Sequence, residues 1–233
     1  MCYLVNIAPP MPIITPTRPP ASAQLLDRPV PGTAGPAPLP RPASPYGVVV
    51  VGESAGGIPA LLQLLGALPA SFPLPILVAQ HLSRTLPSRL PAVLGRRTRL
   101  SVAWAEDGEF ARPGHVHVAP RDRHLTVDPD GRLRLCSSPP LRWWRPAADK
   151  LFASAAESFG ARAVAVVLSG VLTDGAGGIA AVRAAGGITM AQDEASAGHF
   201  DMPAAAIDLG RADVVFSPRK IAEALQVLAE SPA

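Results

Sequence analysis

Cysteine is nearly missing from this chain of 233 residues. Cys2 and Cys136 are the two present, and they lack metal or redox spacing. Both are read as free thiols in a reducing compartment. Aromatic residues make up 5% of the chain, so the interior is expected to be aliphatic. Charged residues make up 17%, and the formal charge is +3 with the basic residues scattered. That distribution gives no nucleic-acid footprint and at most weak attraction to an acidic partner. No stretch supplies the roughly 20 apolar residues of a membrane helix. The first residues lack a basic n-region and a long apolar run, so no signal peptide is expected and the cytoplasm is the expected location.

Proline, by contrast, is abundant and unevenly placed. Residues 1–45 hold nearly half of the 28 prolines. Proline fixes φ and removes a backbone donor, so this stretch is expected to be an extended or disordered tail. A folded domain is expected over 46–233. It opens on a run of four valines, 48–51, of the kind found in a strand buried on both faces. Further strands are predicted at 75–79, 100–103, 163–168, 187–191 and 213–216. Helical spacing is predicted at 58–68, 87–94, 146–159, 174–185, 202–209 and 221–228. Alternating segments at 115–118, 124–127 and 132–135, with Asp128-Pro129-Asp130-Gly131 between the last two, predict a half-exposed antiparallel ribbon over 115–136. Strands alternating with helices imply a three-layer, mostly parallel, doubly wound α/β sheet with that ribbon as an antiparallel excursion.

In open parallel sheets ligands gather beyond the carboxyl ends of the strands. Ser54 follows the first strand, at a strand-to-helix turn inside Gly52-Glu53-Ser54-Ala55-Gly56-Gly57. Gln80 and His81 follow the second. Asp174 follows the 163–168 strand. A nucleophile, a base and a carboxylate on one sheet edge are the parts of an acyl-transfer site. Ser54 would be activated by His81, and Asp174 would fix the imidazole tautomer. Backbone N–H groups of Ala55, Gly56 and Gly57 are the candidate oxyanion donors. Each residue also has a plainer role: Ser54 as a helix cap, His81 as a loop histidine, Asp174 as a cap for the helix that follows it. His199, in the 195–201 loop, is a second choice as base. His115 and His117 share one face of a strand without a second ligand cluster, so no metal site is assigned. Trp143 and Trp144 are either packing residues or a wall for substrate.

These residues resemble the catalytic domain of chemotaxis protein-glutamate methylesterases, the CheB type. The likeness runs from about Gly47 to Leu228. It rests on Val51-Gly52-Glu53-Ser54-Ala55-Gly56-Gly57, Gln80-His81, Ala105-Glu106-Asp107-Gly108, Pro113 to Pro120, Arg145 to Phe152, Leu168-Ser169-Gly170, Thr173 to Gly178, Ala191 to Ser196 and Met202-Pro203. The resemblance implies a Ser54–His81–Asp174 triad and hydrolysis of glutamate γ-methyl esters on chemoreceptors. It also implies, in many members, deamidation of receptor glutamines, with no metal and no cofactor. The expected partner is a methylated chemoreceptor, with neither nucleic-acid binding nor membrane insertion. Arg84, Arg89, Arg142 and Arg145 are expected near the site edge, facing acidic receptor helices.

Three departures stand out. Family members commonly carry a receiver domain ahead of the catalytic one, and the proline-rich stretch is too short for it, so different regulation is expected. The family's Gly-Met-Gly is Gly170-Val171-Leu172 here, and a serine of the family is Ala147.

Other readings fit less well. An α/β-hydrolase esterase shares Gly-x-Ser-x-Gly, but its triad runs Ser, Asp, His. A dinucleotide-binding domain needs Gly-x-Gly-x-x-Gly, which Glu53-Ser54 breaks. A non-catalytic interaction domain of a chemosensory complex is the remaining alternative, and the complete triad weighs against it.

Overall fold

A computed structural model describes residues 44–209 and 212–231. The expected proline-rich tail over 1–45, apart from its last two residues, and Cys2 lie outside the described residues.

The valine run forms β1 (Val48–Glu53), and all six of its residues are buried. β-Branched side chains suit a strand packed on both faces. β1 is followed by α1 (Gly57–Ala67), β2 (Ile76–Gln80), α2 (Leu90–Gly95), β3 (Ser101–Trp104) and β4 (His115–Val118). Next come β5 (His124–Val127), β6 (Leu133–Cys136), α3 (Ala148–Phe159), β7 (Ala163–Val167), α4 (Ala176–Ala184) and β8 (Ile188–Gln192). The chain closes with α5 (Asp201–Asp208), β9 (Val214–Phe216) and α6 (Pro218–Glu230).

Seven strands form one sheet in the order β3-β4-β2-β1-β7-β8-β9. Every pairing in it is parallel. The alternation of side chains along β1 divides the interior in two. Val49 and Val51 face a core with Leu61 and Leu64 of α1, Leu94 of α2, and Ile221 and Leu225 of α6. Val48 and Val50 face a second core with Leu151 and Phe152 of α3 and Ile179 and Val182 of α4. The connections from β1 and β7 thus leave on opposite faces, so the crevice between these two strands is the switch point of the sheet.

The expected ribbon is shorter than its alternation implied. Of the three alternating segments, the last two, β5 and β6, pair antiparallel across the turn at 128–131. β4 lies instead in the main sheet, parallel to β2 and β3. Its alternation arises because His117 is a buried polar residue: one ring nitrogen bonds Glu109 at 2.9 Å and the other accepts from the Arg112 N–H. A histidine with both nitrogens satisfied inside the fold imitates the polar beat of an exposed strand. The β5–β6 hairpin packs on α3, where Ser154 and Ser158 bond the backbone of Val127.

Candidate active site

Ser54, His81 and Asp174 meet at the carboxyl edge of the sheet. Ser54 leaves β1 directly, and its N–H donates to the Ser169 carbonyl beyond β7, at 3.0 Å. His81 leaves β2, with its N–H on the Glu53 carbonyl. Ser54 Oγ stands 3.0 Å from His81 Nδ1. His81 Nε2 stands 2.6 Å from Asp174 Oδ2. The geometry suits the tautomer with the proton on Nε2, which leaves Nδ1 free to accept from the hydroxyl. All three residues are buried, at 6%, 8% and 1% exposure.

Asp174 does not cap the helix that follows it. α4 starts at Ala176 with Gly175 at its N-cap, whose φ is +94°. The Asp174 carboxylate instead accepts from the N–H groups of Ala148 at 2.7 Å and Asp149 at 3.0 Å. These open α3, whose own N-cap residue, Ala147, offers no side-chain bond. An anion at a helix N-terminus is favoured both by free N–H donors and by the helix dipole. Burial works to raise the Asp174 carboxyl. The hydrogen bond from His81 and those from Asp149 and Ala148 outweigh burial and hold it below its ordinary range.

Of the three candidate oxyanion donors, Gly57 is already engaged, its N–H lying 2.9 Å from the Ser54 carbonyl. The N–H groups of Ala55 and Gly56 have no protein acceptor among the described residues. Gly56 has φ +72°, and a Cβ there would come within 2.7 Å of Ser169 Oγ. Only glycine meets both demands at no cost. At Gly170 a Cβ would lie 2.1 Å from Met202 Sδ and 2.9 Å from the Ser54 Cβ. Met202, arriving from α5, thus lies close to the serine.

Two residues of the matching blocks that carried no predicted role, Ser169 and Gln192, hold this edge together. The Ser169 hydroxyl donates to the Ala55 carbonyl and accepts from the His199 N–H, each at 2.9 Å. Gln192, fully buried at the end of β8, accepts from the Ser169 N–H and donates to the Ser196 carbonyl. The rule that located Ser54, His81 and Asp174, looking just past each buried strand, also leads to Ser169 and Gln192. The exposed His199 ring lies beside Gly56, and the partner of the Ser54 hydroxyl is His81.

The two tryptophans divide the roles expected of them. Trp144 stacks on the His81 ring with centroids 4.0 Å apart and planes 8° off parallel. Trp143 is 86% exposed. A two-residue turn, Arg142-Trp143, closes Leu141 on Trp144, with φ +45° and +79° at its two positions. Positive φ at both central positions is what a type I′ turn demands, and Asn-Gly usually fills it. Leu172 also has φ +67° and is half exposed. Arg142 donates to Thr173, next to Leu172, and pairs with Asp149. Arg84 and Arg145 are both committed to Asp122, which leaves Arg89 as the one of the four expected arginines whose side chain has no bonded partner among the described residues.

A doubly wound α/β domain with a buried serine–histidine–aspartate array at its switch point is the frame of a serine hydrolase. A family model described as CheB methylesterase matches residues 49–225. This chain belongs to that family. It is 42% identical over 205 residues to protein-glutamate methylesterase FrzG of Myxococcus xanthus, covering 88% of this chain and 60% of that protein. It is 41% identical over 216 residues to protein-glutamate methylesterase/protein-glutamine glutaminase 3 of Anaeromyxobacter dehalogenans (strain 2CP-C), covering 91% and 63%. Among solved structures, the Thermotoga maritima CheB methylesterase catalytic domain superposes with a TM-score of 0.76 at 36% identity, covering 78% of this chain and 98% of that one. The chain spans about 60% of the length of the first two relatives.

Proposed function

We propose that this chain is a protein-glutamate methylesterase that removes methyl groups from glutamate γ-methyl esters of a chemoreceptor. The observation that carries the reading is the unbroken chain Ser54 Oγ–His81 Nδ1–His81 Nε2–Asp174, at 3.0 and 2.6 Å. In this scheme His81 Nδ1 takes the Ser54 proton as the oxygen attacks the ester carbonyl. Ala55 and Gly56 N–H groups stabilise the oxyanion. The tetrahedral intermediate collapses, and the imidazolium returns the proton to the departing methoxide as methanol. Water then attacks the glutamyl–Ser54 ester and gives its proton to His81. His81 passes that proton to the departing Ser54 Oγ, which restores the serine, and the new glutamate carboxyl ionises to the surrounding water. Asp174 stays ionised throughout and stabilises the imidazolium.

The names of several relatives extend the proposal to glutamine side chains, where the same steps would release ammonia. The exposed Leu172 and Trp143, the latter next in the chain to the Trp144 that covers His81, are the proposed contacts for the protein substrate. Action in the cytoplasm is part of the same proposal and suits the free thiol of Cys136.

The test is methanol release from a methylated receptor. Ser54→Ala is expected to lower kcat by about 10⁴–10⁶-fold. Turnover equal to wild type would end the proposal.

A further inference from the structure

Glu53, immediately before Ser54, plays no part in the scheme above, yet it is one of the most confined polar groups in the protein. It is fully buried, and neither carboxyl oxygen has a hydrogen-bond partner among the described residues. Leaving a buried polar atom without a hydrogen bond forfeits the bond it made with water in the unfolded chain. Such an atom calls for an explanation.

The explanation lies on the next strand. Glu53 is in register with Gln80, the last residue of β2. Register partners on parallel strands stand about 4.7–4.9 Å apart and point to the same face. Their neighbours on that face are Val51 and Val78, in the core beneath α1. A Cβ at Gly57 would meet Glu53 Oε2, so the carboxyl lies against the first turn of that helix. Gln80 is also buried, and its Oε1 is also without a partner. Its Nε2 is not: it donates to the His81 carbonyl at 2.9 Å and reaches the Ser54 carbonyl at 3.5 Å. The unpaired atoms of the two side chains are all acceptors. They satisfy each other only if one of them carries a proton.

We propose that Glu53 is a neutral carboxylic acid whose O–H donates to Gln80 Oε1, locking the carboxamide so that its Nε2 clamps the backbone of Ser54 and His81. Glu53 and Gln80 are then positioning residues that set the spacing of nucleophile and base. Burial supports this, since it pushes the Glu53 carboxyl well above its ordinary range. The inference rests on the reading of Ser54 as the nucleophile.

The experiment uses the full chain and two variants, Glu53→Gln and Glu53→Met. Glutamine keeps a donor for Gln80 Oε1; methionine fills the volume without one. Infrared difference spectra of wild type against Glu53→Gln, at neutral pH, are expected to show a protonated-carboxyl stretch assigned to Glu53. Labelling of Ser54 by a fluorophosphonate is expected at near wild-type rate in Glu53→Gln. In Glu53→Met it is expected to be about tenfold slower, as for loss of one buried hydrogen bond, with the melting temperature preserved. Equal labelling of Glu53→Met and wild type overturns the positioning role. Carboxylate bands in place of the acid band overturn it whether or not Ser54 reacts. A wild type that shows the acid band but resists labelling upholds the hydrogen bond and removes Ser54 as nucleophile.

Discussion

Asp174 and Glu53 are two carboxyl groups at one edge of one sheet, and water reaches neither. Their surroundings are opposite. Asp174 sits on the α3 side with three donors, from His81, Ala148 and Asp149. Glu53 sits on the α1 side with none among the described residues. The first is held below its ordinary pKa and the second well above it. Burial acts in the same direction on both. The supply of donors decides which one is an anion, and so which one can stabilise an imidazolium.

The sharpest way to break this contrast is to change the Asp174 charge while keeping its shape. Asp174→Asn is expected to lower kcat by about 10⁴-fold through the wrong histidine tautomer. Steady-state methanol release measures it. Asp174→Ala adds a structural loss, since two N–H groups opening α3 lose their acceptor. A destabilisation of about 1–3 kcal/mol in denaturant unfolding is expected. An unchanged midpoint would mean that the external cap contributes nothing.

The pH dependence of stability separates the two acids by sign. For Asp174 the folded pKa is depressed. Its stabilising contribution is present above the unfolded pKa and is lost as pH falls through the folded value. For Glu53 the folded pKa is raised, so the folded state binds the proton more tightly than the unfolded chain. Wild-type stability must then decline as pH rises from the ordinary value of 4.5 toward the folded one. Glu53→Gln does not titrate. Its advantage over wild type is therefore expected to grow across that window, as measured by unfolding at a series of pH values. A constant difference would show that Glu53 ionises normally.

A smaller effect is expected on the rim. Leu172 occupies the left-handed region at φ +67°, where a side chain costs roughly 1–2 kcal/mol. Leu172→Gly relieves that cost, offset by the greater freedom of glycine when unfolded. The net gain in stability is expected to be about 0.5–1 kcal/mol. If the leucine is kept for contact with the protein substrate, KM rises in the same variant while kcat holds. A stabilised variant with unaltered KM would remove Leu172 from the binding surface.

Much of this was legible in the chain. The buried strands β1, β2, β7 and β8 match the predicted segments closely because a short run dominated by Val, Ile, Leu, Met and Ala has few other uses at that length. Ser54, His81 and Asp174 were found by looking past strand ends, a rule that follows from parallel topology. Helix starts were less legible. α3 begins two residues later than predicted, at Ala148, because its cap comes from Asp174 far along the chain. β4 was misassigned because the alternation of His115 to Val118 does not reveal whether a polar beat faces water or a buried partner such as Glu109.

By itself, then, the sequence determined the strand-and-helix alternation, the parallel sheet and the identity of the three polar residues at its edge. Those follow from local hydrophobic periodicity and from the handedness of crossover connections. Only the tertiary structure decided which donors each buried acid meets and that Trp144 lies flat on the His81 ring. Those contacts join residues tens of positions apart across a closed interior. No local pattern encodes which side of the sheet will hold the N–H groups.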